Sequence, residues 1–131
     1  YEKDFDALVV GGGIMGVCIA RDLAESGYQV AIVERESSLG GVWTHNDYPG
    51  LRLQGVGSAW RCLSLAPAFH LEHDRTSPYC PLASETLTYI QSMADHPNIT
   101  TFTNTLYEGL VVDENDDNTN DDNSNDDNSN A

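Results

Sequence analysis

The sequence predicts an α/β domain built on a parallel sheet, and three observations predict it. A short apolar run, Phe5 to Val10, leads directly into Gly11-Gly12-Gly13-Ile14-Met15-Gly16. A segment with helical periodicity follows the glycines. A second apolar run, Gln29 to Val33, then ends in an acid, Glu34. Strand, glycine turn, helix and strand in this order make a βαβ unit, whose crossover is expected to be right-handed.

Each element has its own signal. Ala7 to Val10 and Val30 to Val33 are continuous apolar runs without polar alternation, as strands buried on both faces are. Residues 14–26 place Ile14, Val17, Cys18, Leu23 and Ala24 on one broad face, with Arg21, Asp22, Glu25 and Ser26 opposite. Gly27 is placed to end that helix in a left-handed conformation. From Glu34 to Pro81 the chain is rich in Gly, Pro, Trp and His and shows no long periodic element. A loop of that length in a compact domain is expected to be functional. Ser84 then reads as the cap of a helix carrying Leu87, Ile90 and Ala94 on one face, with Pro97 beyond its end. Ile99 to Thr103 is a third strand candidate, and Leu106 to Val112 a fourth, broken by Gly109.

Composition divides the chain in two. The formal net charge is −15. Eight of the acids, and no base, lie between Asp113 and Ala131, which leaves −7 for residues 1–112. Residues 113–131 repeat short Asn/Asp units and hold no aromatic or branched apolar side chain. They cannot bury enough apolar surface to offset ordering entropy, and they read as a disordered acidic segment. No region is basic enough to suggest nucleic acid or an anionic membrane as a partner. No membrane span or signal peptide is visible. Cys18, Cys62 and Cys80 lack metal-type spacing, so free thiols in a reducing, cytoplasmic setting are expected, with Cys18 as buried packing. His70-Leu71-Glu72-His73-Asp74 lies between Pro67 and Pro78 and reads as a solvated segment, not a metal site.

The glycine run has the context that its chemistry needs, a strand before it and a helix after it. Gly11 allows the tight turn, Gly13 lets backbone approach a pyrophosphate, and Gly16 lets helix and strand pack closely. The free amides and the helix dipole then face the phosphates. Glu34 is placed to accept both hydroxyls of an adenosine ribose and to repel a 2′-phosphate. A Rossmann-like dinucleotide-binding domain over residues 1–112 is therefore expected.

Further residues narrow the nucleotide. Glu34-Arg35-Glu36-Ser37-Ser38-Leu39-Gly40-Gly41 resembles the acid-then-GG arrangement of flavoproteins with two dinucleotide-binding domains, where the GG loop lies along the FAD. Gly40-Gly41-Val42-Trp43 and Tyr48-Pro49-Gly50-Leu51-Arg52 resemble the GGxW and YPG-x-R stretches of the flavin-containing and Baeyer–Villiger monooxygenases. Disulfide reductases carry a cysteine pair after the GG loop, which Val42 to Asp47 lacks. Amine oxidases share GxGxxG and GG but usually continue into an Arg-rich segment. The resemblance implies the N-terminal part of a larger enzyme that binds FAD, is reduced by NADPH, and oxygenates a small-molecule nucleophile at N or S, or a ketone. It implies that Gly11, Gly12, Gly13, Ile14, Met15, Gly16, Glu34, Arg35, Gly40, Gly41, Val42 and Trp43 hold FAD. Gln54 matches a position near the flavin's reacting edge. The family has Asn or Asp there, and Gln keeps the amide chemistry. Gly55, Val56 and Gly57 depart from the family pattern. Trp43 either packs in the core or touches the flavin. Arg35 either stacks near the adenine or pairs with Glu36, and Arg52 sits by the pyrophosphate or pairs with a carboxylate. His45 is a further candidate beside the cofactor. A truncated, non-catalytic FAD-binding module is the competing reading, with another FAD-dependent oxidoreductase, such as an amine oxidase, beside it.

Overall fold

The computed structural model describes residues 3–54 and 80–112. Within them, β1 (Ala7–Val10), α1 (Ile14–Glu25), β2 (Val30–Val33), α2 (Val42–His45), α3 (Ala83–Met93) and β3 (Ile99–Phe102) follow one another. The three strands form one parallel sheet in the order β1-β2-β3. Its register sets Ala7, Val30 and Ile99 abreast, and Val9, Ile32 and Thr101 two residues on.

Both crossovers step the same way across the sheet. With one handedness, that puts α1 and α3 on one face. A single core records this. Val17, Cys18, Ala20 and Ala24 of α1 and Tyr89, Ile90 and Met93 of α3 pack with Val30 and Ile32, and Ala7, Val9 and Ile99 lie against them. Val17, Val30, Ile32, Ile90 and Met93 are fully buried. Each such side chain contributes about 1.5–3 kcal/mol by leaving water, and truncating Ile90 to Ala is expected to cost ~2–5 kcal/mol. The residues between them in register, Leu8, Val10 and Phe102, are exposed on the opposite face. The described residues thus form two layers of the fold, where apolar strands suggested cover on both faces. The α/β class and the parallel sheet are as expected.

The helix ends show where local signals won and lost. Ser26 closes α1, and Gly27 follows at φ +95° with its N–H donating to Ala24 O at 3.0 Å. α3 starts before Ser84. Leu82 is its N-cap residue, and Leu has no side-chain acceptor, so the cap is one-sided: Glu85 accepts the Leu82 N–H at 2.7 Å. Leu87 is half-buried, and the buried face of α3 is Thr86, Tyr89, Ile90 and Met93. Arg21 donates to the carbonyls of Met93 at 3.3 Å and Asp95 at 3.2 Å, which closes the far end of α3 with a cation.

Two expectations change. Residues 106–112 form no strand; Leu106, Leu110, Val111 and Val112 are exposed, and among the described residues no strand pairs with them. The described part of the long loop holds only a single turn, α2, and an isolated antiparallel bridge between Arg52 and Leu82. Cys80 is a free thiol as expected, but Cys18 is in a disulfide. Gly55 to Gly57, His70 to Asp74 and residues 113–131 lie outside the described residues. Among the described residues no helix is long and apolar enough to cross a membrane.

Candidate functional site

The carboxyl ends of β1 and β2 carry the site. Gly11 leaves β1 at φ +101°, a conformation L side chains rarely adopt, and its N–H donates to Val33 O at 2.8 Å. That turn brings Gly13 to the N-cap of α1. Gly13 has no side-chain cap, and the first turn of α1 holds no acidic residue. A Cβ placed on Gly13 would meet only Gly41 Cα, at 3.9 Å, and one on Gly11 would meet nothing within 4 Å. Gly16 is different, because a Cβ there would run into the carbonyl oxygen of Gly11. The sixth position of the motif therefore serves helix–strand packing, while the first and third leave an open cradle of backbone and helix-dipole charge that suits a diphosphate.

Gly12 joins three parts of the chain. Its N–H donates to Glu34 Oε2 at 2.6 Å, and its carbonyl accepts the Gly40 N–H at 2.9 Å. Leu39 occupies the space that a Cβ on Gly12 would need. The second glycine loop is thereby fastened to the first. Gly40 and Gly41 adopt φ +138° and +57°. Leu87 of α3 and Thr44 fill the place of a Gly40 side chain, and Gln91 donates to Leu39 O at 3.1 Å. The loop after β2 is thus held between the glycine turn and α3.

Glu34 is buried at the end of β2, with 7% of its surface exposed. Burial raises its pKa, but hydrogen bonds from the Glu36 and Gly12 amides, the Arg35 charge and the Arg35 amide outweigh that and hold the carboxyl below its ordinary value. The second carboxylate oxygen, Oε1, accepts the Glu36 N–H at 2.8 Å. Each oxygen keeps a lone pair for a further donor, so an ionised carboxylate here suits a ribose diol.

The sequence did not point to the other wall. Glu34 and Arg35 help to line a cleft of about 190 Å³, together with Val10, Gly11 and Val33 and with Thr105, Leu106 and Tyr107 from the segment after β3. Asn104, at φ +51°, turns the chain after β3, and its N–H donates to Glu36 O at 2.8 Å. The Thr105 N–H donates to Glu34 O at 2.9 Å. The available signal was Asn104 just beyond a parallel strand, since ligands bind outside the carboxyl ends of such strands.

The remaining candidates are scattered. Ile14 packs against the core, whereas Met15 is exposed. Arg35 is exposed, pairs with Glu36 at 3.2 Å, and is one of the residues lining the cleft. Val42 is exposed, and Trp43 is half-buried and packs against the core. His45 is exposed at the end of α2. Arg52 donates to Cys80 O at 2.8 Å. Gln54 is exposed, next to Leu53, whose N–H donates to Pro81 O at 2.9 Å.

Known proteins resemble this chain. Over 51 residues, or 39% of this chain, it is 45% identical to the FAD-binding monooxygenase VdtE of Byssochlamys spectabilis, of which that stretch is 9%. Over 40 residues, 30% of this chain, it is 50% identical to an iron-sulfur subunit of the CoB–CoM heterodisulfide reductase of Methanocaldococcus jannaschii, of which it is 6%. In three dimensions it resembles an oxidised steroid monooxygenase bound to NADP, with a TM-score of 0.53 and 28% identity across 76% of this chain and 19% of that one. The chain thus spans a small share of the proteins it matches. The family model for FAD dependent oxidoreductases matches residues 6–117. With the cradle, the buried acid and the second glycine loop lying within that match, the chain belongs to the FAD dependent oxidoreductase family.

Proposed function

We propose that this chain is the FAD-binding part of an NADPH-dependent flavin monooxygenase acting on a small-molecule nucleophile at N or S, or on a ketone. The observation that carries the FAD reading is the Gly40 N–H bond to Gly12 O, which makes one surface of two glycine loops. Gly11 to Gly16 receive the pyrophosphate at the start of α1, and Glu34 receives the adenosine ribose. Arg35 lies at the adenosine end, and Gly40, Gly41, Val42 and Trp43 lie along the middle of the cofactor. Gln54 is offered as a hydrogen-bond partner near the reacting edge. FAD, when bound, supplies the electron transfer and oxygen activation. The protein's part is to bind it, orient it and keep water from it. Family membership, and the monooxygenase names among the similar proteins, support this reading. A cytoplasmic location is part of the same proposal.

A second reading has one observation behind it. The chain is also 50% identical over 40 residues to a subunit named for a heterodisulfide reductase, so a different FAD-dependent redox reaction is the alternative. The test is to purify the protein that contains this chain, release its nucleotide by denaturation, and follow NADPH consumption and oxygen uptake with amine, sulfide and ketone substrates. Released FAD with substrate-dependent, oxygen-dependent NADPH consumption supports the monooxygenase. FAD without oxygen use points to the second reading, and NAD in place of FAD sinks both.

A further inference from the structure

We propose that Gln91 is a positioning residue for the cofactor. From α3 it locks the peptide between Leu39 and Gly40 in the orientation that lets the second glycine loop seat a nucleotide. This rests on the FAD reading above and deepens it. The peptide is held at both ends. Its carbonyl, Leu39 O, accepts from Gln91 Nε2 at 3.1 Å, and its N–H, on Gly40, donates to Gly12 O at 2.9 Å. The two bonds run to different elements, so one peptide plane joins α3 to the turn that opens α1.

The neighbours of that peptide show why a lock is needed. Gly40 and Gly41 follow it at φ +138° and +57°. Glycine reaches both halves of the backbone map at similar cost, so a flip of the peptide before Gly40 meets little intrinsic resistance. Leu39 is buried, and Leu87 fills the space beside Gly40. Apolar contacts of this kind are non-directional and do not set which way a carbonyl points. Hydrogen bonds do. Gln91 is itself exposed, yet its side chain reaches a loop 52 residues away in sequence. A flipped peptide turns the Gly40 N–H away from Gly12 and dissolves the surface that the two loops share. Nucleotide then binds only the fraction of molecules whose peptide is in place.

The experiment uses the whole protein that contains this chain, freed of its nucleotide, and its Gln91→Met variant, which keeps the side-chain length and lacks the donor. FAD rebinding is followed by flavin fluorescence in stopped flow, and amide exchange is read residue by residue. Gln91→Met is expected to slow FAD association by about two- to tenfold and leave dissociation unchanged, because the loss falls on the free protein. A side chain that touched the ligand would raise the dissociation rate instead. In the free variant the Gly40 amide should exchange faster, while the Gly12 amide, bonded to Glu34, keeps its rate. A merely structural role would speed both amides alike, so this comparison within one molecule stands even if Gln91→Met melts early. An unchanged association rate, a loss carried by dissociation, or equal speeding of the two amides overturns the proposal. An unaltered protein that takes up no FAD overturns the FAD reading itself, whereas normal FAD uptake with an indifferent Gln91 removes only this inference.

Discussion

The amide of Gly12 donates to the carboxylate of Glu34 across 2.6 Å, so the acid at the end of β2 is tied to the turn at the end of β1 before any ligand is considered. The same carboxylate that suits a ribose is therefore also a structural brace. Perturbing it should be read in stability as well as in affinity.

The brace has a pH signature. Glu34 has a folded-state pKa below its ordinary value. Its contribution is complete above the unfolded carboxyl pKa and is lost as pH falls through the lower folded value. Thermal midpoints should decline as the pH drops below the ordinary carboxylate range. Glu34→Gln should flatten that part of the decline, while costing roughly 1.5–3 kcal/mol at neutral pH for its charge-assisted bonds. Parallel acid limbs in the two proteins would mean the carboxylate is not the group involved.

Two glycines of one motif should behave oppositely. A methyl on Gly16 meets the backbone carbonyl of Gly11, which cannot step aside as a side chain would. Gly16→Ala is expected to destabilise the fold by about 1–3 kcal/mol, measured by denaturant unfolding.

Gly13→Ala has no such collision, since only Gly41 Cα lies within 4 Å and φ is −72°. Stability should be kept or slightly raised. FAD affinity should fall on the order of 10- to 100-fold, because the methyl stands where backbone and pyrophosphate approach. A titration that finds Gly13→Ala equal to the unaltered protein would show that the cradle holds no phosphate.

Residues 1–131 alone should not consume NADPH above the rate of free FAD. The chain contains one GxGxxG loop, and Glu34 beside it disfavours a 2′-phosphate. Without a held nicotinamide, hydride transfer forgoes the roughly 7–11 kcal/mol that positioning supplies. Absorbance at the NADPH band, with FAD and air present, decides the matter, and sustained consumption would place a second nucleotide site within this chain.

Much of the site was legible because its logic is local. Gly11, Gly13, Gly16 and Glu34 lie at spacings set by one turn, one helix and one strand, and each is where those spacings put it. Thr105, Leu106 and Tyr107 were not legible as a wall, since they join Glu34 through the β2–β3 register and the turn at Asn104. Residues 106–112 looked like a strand because their apolar character matched one, but a strand exists only with a pairing neighbour. Ser84 lost the cap of α3 because Glu85 bonds back to Leu82 and starts the helix earlier. The disulfide at Cys18 was invisible because pairing depends on distance in space, which spacing in sequence does not give.

The bond from Gly40 to Gly12 also sets a clock. Hydrogen exchange at the Gly12 and Thr105 amides requires release from Glu34, just past β2, and at the Gly40 amide release from the glycine turn; both follow strands that reach into the core. Those protons should exchange only through opening of the sheet, whereas the exposed backbone from Leu110 to Val112 exchanges freely. Stabilising substitutions far away in the core, around Ile90 or Met93, should therefore slow these amides together without touching either loop.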